Sequence, residues 1–271
     1  MYDLNNRTFI GFSFDDGRED NYSIAYPILK EMNLPATINI TSRFINTCAP
    51  PLNLCEAKPL SILQLKELFA DSQIEIAGHG AYHKNSLEDI VQGINELREM
   101  LSTDTLYKGA NGFASPGSGL TNEQYLKIKP QLDVNQVAYV RTSLGYKSFP
   151  RVKTFIRKIS RVVPIPFIYK AAYRDTLIDN VDEGILYSVP VLSSISTAEI
   201  MALVNSAVQQ GKSLILMLHS IVPDGMVRDN WDYEESKFRE ICNKLVLLQN
   251  KGKLRVSTSM DIYNHYRSVN V

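Results

Sequence analysis

Eight short apolar runs alternate with helix-period segments along most of this chain, and that alternation limits the fold more than any other feature. The strand-like runs are 8–13, 36–40, 74–77, 112–115, 136–141, 187–191, 213–218 and 254–257. Helical spacing occupies 21–32, 62–70, 87–101, 122–127, 197–210, 233–250 and 260–265. Ser61, Thr121 with Gln124, Ser196 with Glu199, and Ser259 are capping signals at four of the helix starts. Strand and helix in this order predict parallel pairing with helices outside, as an open sheet or a barrel. In either case the chemistry gathers at the carboxyl ends of the strands.

The chain can bury a full core, since 44% of its 271 residues are apolar. Lys plus Arg equals Asp plus Glu at 29 each, so no global field draws it to nucleic acid. Its apolar stretches are shorter than the ~20 residues of a membrane span, which predicts no transmembrane segment. Residues 1–7 have no basic start leading into a long apolar stretch, so the expected location is cytoplasmic. Cys48, Cys55 and Cys242 match no zinc or redox spacing and are read as ordinary thiols.

Three motifs follow strands. Ser13-Phe14-Asp15-Asp16-Gly17 puts two adjacent carboxylates after the first, and two ionised carboxylates at a buried strand end call for a metal or an arginine nearby. Asp-Asp-Gly is equally an ordinary surface turn. His79 and His83 follow the third strand at a spacing that, on a helical turn, sets both rings on one side, where they can close on one divalent ion. The plainer reading is two surface histidines at a helix start. His219 follows the seventh strand, where an imidazole can act as acid or base or serve only in packing. Delivery to one face by three separate strands favours a common site: two histidines and a carboxylate on a metal, with a second carboxylate free to take a proton.

On these residues the chain resembles the NodB-type polysaccharide deacetylases, carbohydrate esterase family four. Ser13–Gly17 matches the family's Thr/Ser-Phe-Asp-Asp-Gly motif, His79–His83 its His-x-x-x-His, and Leu214–His219 loosely its late leucine-histidine motif. The resemblance implies an α/β fold, a distorted (β/α) barrel with about seven repeats. It further implies Asp16, His79 and His83 as ligands of one divalent metal, with Asp15 as base and His219 as acid. Zn²⁺ is the preferred ion, with Co²⁺, Ni²⁺ or Mn²⁺ as alternatives. The implied reaction is hydrolysis of an N-acetyl group on a sugar. The alternatives are a related amidohydrolase acting on a formamide or other amide, and a non-catalytic carbohydrate-binding relative.

The chain departs from the family where an Arg-x-Pro-aromatic segment is usual. Phe113-Ala114-Ser115-Pro116-Gly117-Ser118 stands there instead. Pro116 keeps the turn and the Gly117 N–H is a candidate oxyanion donor. Arg141, near the end of the next strand, is the candidate to replace the lost arginine and orient Asp15. Tyr82 either lines the sugar site or packs beside the metal loop.

Residues 1–271 read as a single catalytic domain interrupted at about 144–186. Lys147, Arg151, Lys153, Arg157, Lys158, Arg161, Lys170 and Arg174 lie there among apolar residues, with no acidic residue from 147 to 174. Such a segment suits peripheral contact with a membrane, or a phosphate-bearing or lipid-linked sugar, and equally a solvated lid.

Overall fold

The computed structural model describes residues 8–46, 58–101, 109–142, 150–160 and 165–269. Cys48, Cys55, Lys147 and Arg161 lie outside them.

Seven parallel strands form the frame: β1 (Phe9–Phe14), β2 (Ala36–Ile40), β3 (Ile74–Gly78), β4 (Gly109–Ala114), β5 (Tyr139–Thr142), β6 (Ile185–Pro190) and β7 (Leu214–Leu218). They pair in sequence order, and β1 also pairs with β7 from Ile10↔Leu214 to Phe14↔Leu218, which closes the sheet into a barrel. Every residue of β1, β2 and β7 is buried, as required where helices cover one face and the barrel interior fills the other. Two further strands, β8 (Ser220–Val222) and β9 (Asp232–Glu234), form a small parallel pair beyond β7, and β10 (Arg255–Val256) joins β1 from outside.

The helices are α1 (Tyr26–Glu31), α2 (Ile62–Ala70), α3 (Leu87–Leu101), α4 (Asn122–Val134), α5 (Pro150–Ser160), α6 (Pro166–Tyr173), α7 (Thr197–Gln210), α8 (Glu235–Asn250) and α9 (Ser259–Val269). Ser61, Thr121 and Ser196 each accept from the backbone three residues on, completing capping boxes at α2, α4 and α7. The core runs through the barrel walls, with Phe12, Phe14 and Phe238 in edge contacts at its β1–α8 side.

Three local readings are corrected. α4 continues through Pro130 to Val134 instead of ending at Lys127, because proline removes one backbone bond without stopping a helix held on both sides. The 144–186 stretch, read as poorly periodic, carries the helices α5 and α6, and its last residues belong to β6. The segment between His79 and His83 is a loop and not a helical turn; Gly80 and His83 have φ of 83° and 59°. No helix among the described residues is long and apolar enough to cross a membrane.

Candidate metal and catalytic site

All of the strand ends singled out from sequence meet at the barrel's carboxyl mouth. The β-ladder continues one residue past each strand: Asp15 N–H donates to the Leu218 carbonyl (2.9 Å), His79 N–H to Ile40 (2.8 Å) and Ser115 N–H to Arg141 (2.9 Å). Residues just beyond β1, β3 and β4 are therefore tied to the sheet by the same backbone bonds as the strands.

Asp16 stands at the centre. Its backbone is left-handed (φ 79°), as is that of Gly17 (φ 82°), and this turn aims the Asp16 carboxylate back across the mouth. Oδ1 lies 3.4 Å from Nε2 of His79 and 3.4 Å from Nε2 of His83. One ligand atom from each of the three residues falls within 4.8 Å of the others. Oδ1 is buried without a hydrogen-bond partner, which is costly unless an ion takes its lone pairs. Oδ2 is occupied, accepting from Arg18 Nε at 2.9 Å and facing Nη2 at 2.7 Å.

His79 is oriented from behind. Its Nδ1 meets the Ala114 carbonyl at 2.8 Å, an acceptor only, so Nδ1 carries a proton and, in the neutral ring, Nε2 presents its lone pair to Asp16 and His83. Burial disfavours its cation, but the charges of Asp15 and Asp16 outweigh burial and raise its pKa. His83 goes the other way: burial, then the neighbouring His79, bring it down to about 4, so its imidazole is neutral near pH 7. This donor set fits a divalent cation with open positions, with two neutral imidazole nitrogens and one carboxylate oxygen.

Asp15 faces Arg141. The Arg141 guanidinium donates through Nη2 to Asp15 Oδ1, which also accepts from Asn39 Nδ2 at 2.8 Å. Arg141 is fully buried, and its Nη1 donates to Ser188 Oγ at 3.3 Å. Burial opposes ionisation of Asp15, yet Arg141, His79 and His219 together hold its carboxyl below the ordinary range.

His219 lies across the mouth, its ring 4.3 Å from that of Trp231 at a 41° tilt. Its Nδ1 is buried with no hydrogen-bond partner, and burial lowers its pKa despite Asp16 and Asp15. Pro116–Ser118 forms a tight turn at the carboxyl end of β4, with the Pro116 carbonyl accepting from Asn85 Nδ2 at 2.9 Å. The N–H groups of Ser118 and Gly119 are taken by Ser115 and Pro116 carbonyls, while Gly117 is exposed at φ 56°. Tyr82 is 47% exposed, with Arg43 and Lys84 over its ring at 5.7 and 5.9 Å, outside the cluster of ligand atoms.

Arg18, Asn39 and Trp231 were not anticipated. Arg18 directly follows the Asp-Asp-Gly motif, and Trp231 is the sole tryptophan, so both carried a faint signal; Asn39 on β2 carried none.

The polysaccharide deacetylase family model matches residues 4–137, the part carrying Asp15, Asp16, His79 and His83. A Mycobacterium smegmatis structure assigned to the polysaccharide deacetylases aligns over 100% of this chain and 94% of its own, at 14% identity and TM-score 0.55. The Bc1960 peptidoglycan N-acetylglucosamine deacetylase, solved with an N-oxidanyl-benzamide, aligns over 96% and 90%, at 14% identity and TM-score 0.50. IcaB from Ammonifex degensii aligns over 48% of this chain and 57% of its own, at 20% identity and TM-score 0.39, so the match spans little more than half of that relative. No curated protein matches the chain.

Proposed function

The chain belongs to the polysaccharide deacetylase family, and on that premise we propose that it hydrolyses an N-acetyl group on a saccharide with the help of one divalent metal ion. The observation that carries the proposal is the approach of Asp16, His79 and His83 to within 4.8 Å beside a second, arginine-held carboxylate. Two imidazoles and one carboxylate favour Zn²⁺, with Co²⁺, Ni²⁺ or Mn²⁺ compatible. When bound, such an ion polarises the acetyl carbonyl and lowers the pKa of water.

The chain's own residues supply the rest. Asp15 is the base: its low pKa keeps it ionised, and Arg141 with Asn39 fixes the Oδ1 side, so that one face of the carboxylate is pinned. Gly117 N–H is the donor proposed for the developing oxyanion, a role that needs no side chain. His219 delivers a proton to the departing amine and Trp231 fixes its ring plane. Its lowered pKa makes it a strong acid once charged, suited to a leaving group that accepts a proton only as the C–N bond breaks.

The test is an acetate-release screen over N-acetylated chito-oligomers, nucleotide sugars and lipid-linked sugars, with metal content measured on protein purified without added ions. Acetate release that is lost in Asp15→Asn and restored by no added ion supports the reading. Formate in place of acetate moves the chain to the formamide-cleaving alternative, and neither product with any substrate removes the enzymatic proposal.

A further inference from the structure

Among the described residues only two phenylalanines are exposed, and both lie on the helices that interrupt the barrel rhythm. Phe155 of α5 is 64% exposed and Phe167 of α6 is 75% exposed, with Ile165 at 45% just before α6. Lys158 lies three residues after Phe155, Lys170 three after Phe167, and Ala171 and Arg174 continue the α6 face. Lys158, Ala171 and Arg174 are exposed and Lys170 is half-buried.

Lys158, Lys170 and Arg174 make no ion pair among the described residues, whereas several lysines elsewhere do. Lys127 pairs with Glu123 (2.8 Å), Lys129 with Asp133 (2.7 Å), Lys212 with Asp179 (2.7 Å) and Lys244 with Glu240 (2.6 Å). Lys158 and Lys170 have no acidic residue within four positions in sequence, since the chain holds none between Asp133 and Asp175. Aromatic side chains left in water beside uncompensated positive charge complement a surface that is apolar beneath and anionic on top.

The helices are also anchored firmly enough to transmit position. Buried Arg157 donates through Nε to the Ala172 carbonyl at 3.1 Å and lies 4.9 Å over the Tyr173 ring, tying α5 to α6. Tyr169 hydroxyl donates to the carbonyl of Pro190, the last residue of β6, at 3.3 Å. The pair is therefore attached at the carboxyl end of β6, between β5, which carries Arg141, and β7, which leads to His219.

We infer that the outer face of α5 and α6 docks this protein on an anionic lipid bilayer, with Phe155 and Phe167 entering the interface and Lys158, Lys170 and Arg174 meeting the headgroups. The docked face adjoins the rim of the barrel mouth, which brings the site next to substrates carried at the membrane surface. The inference is read out by binding alone and does not depend on the proposed catalysis.

The full chain is sedimented with vesicles of phosphatidylcholine and with vesicles containing roughly one-third phosphatidylglycerol. The expected result is pelleting with the anionic vesicles, reduced by high salt. Lys158→Glu with Arg174→Glu, and separately Phe155→Ser with Phe167→Ser, each lower the partition coefficient about tenfold or more, while thermal unfolding stays near wild type. Wild-type protein that stays in the supernatant, or equal partition of wild type and both double variants, overturns the inference. So does concentration-dependent self-association in sedimentation velocity that the phenylalanine variant abolishes, since the face would then join two copies of the chain.

Discussion

Arg141 on β5 and Asp15 beyond β1 form a buried ion pair across the barrel mouth, both nearly inaccessible to water. Neither belongs to a strand adjacent to the other; the pair exists because the sheet closes. Asp16 has its own arginine, Arg18, so each of the two adjacent carboxylates is charge-compensated separately. Both can stay ionised side by side in a buried position for that reason.

Replacing Arg141 with Ala leaves Asp15 buried with Asn39 as its remaining side-chain donor and should lower kcat by an order of magnitude or more, at least about 1.4 kcal/mol in the barrier. Steady-state kinetics on any substrate that releases acetate checks it. Near-normal turnover would discard the orienting role.

Asp15 and His219 separate from the ligands in a two-part measurement. Asp15→Asn and His219→Gln are each expected to reduce kcat by about 10²–10⁴ while retaining bound metal. His79→Ala should lose the metal itself. Metal loss in His219→Gln would move that histidine into the coordination set.

Arg18 reaches Asp16 with Nε and Nη2 and Ser220 Oγ with Nη1 (2.9 Å), linking the turn after β1 to the strand after His219. Arg18→Gln should weaken metal affinity roughly 10–100-fold, as loss of a group that orients a ligand does. Lysine should not restore it, lacking the planar fork. Chelator competition gives the number, and an unchanged affinity makes Arg18 merely structural.

Metal affinity should fall on acidification through His79. His83 protonates only near pH 4, whereas the raised pKa of His79 means that a proton competes for Nε2 at milder acidity. Below that pKa the apparent affinity should drop about tenfold per pH unit. Competition titrations from about pH 8 to about pH 5.5 test it, and a flat profile counts against His79 as a ligand.

Asp20 offers a stability test away from the ligands. Burial, partly offset by Arg18 and by the Ile221 N–H at 3.2 Å, raises its carboxyl to about 6. The unfolded group titrates near ~3.9, so between the two values the folded chain holds more protons. Its contribution to stability is therefore present at low pH and lost as pH rises through that window. Asp20→Asn should then be more stable than wild type above about pH 6, by on the order of 1–2 kcal/mol or a few degrees in Tm. The advantage should vanish near pH 4; an equal difference at both pH values rejects the titration account.

Residue order alone determined the seven barrel strands, most of the helix caps and the five side chains that follow β1, β3 and β7, because periodicity and capping are local and the carboxyl ends of parallel strands share one face. It did not reveal that 79–83 is a loop. The four-residue spacing suits a helix, but Gly80 and His83 in left-handed backbone bring the imidazoles together by another path. Nor did it disclose α5 and α6, whose prolines and mixed charge hide their period.

The partners that make the site chemically coherent were settled by closure of the barrel. Arg141 and Asp15 are 126 positions apart and Arg18 and Ser220 are 202 apart. No local pattern encodes such pairings, because they arise only when the pairing of β1 with β7 fixes which strand ends face one another. Which residues are able to do chemistry is written along the chain. Which of them compensate one another's charge is decided by distances that exist only in the folded molecule.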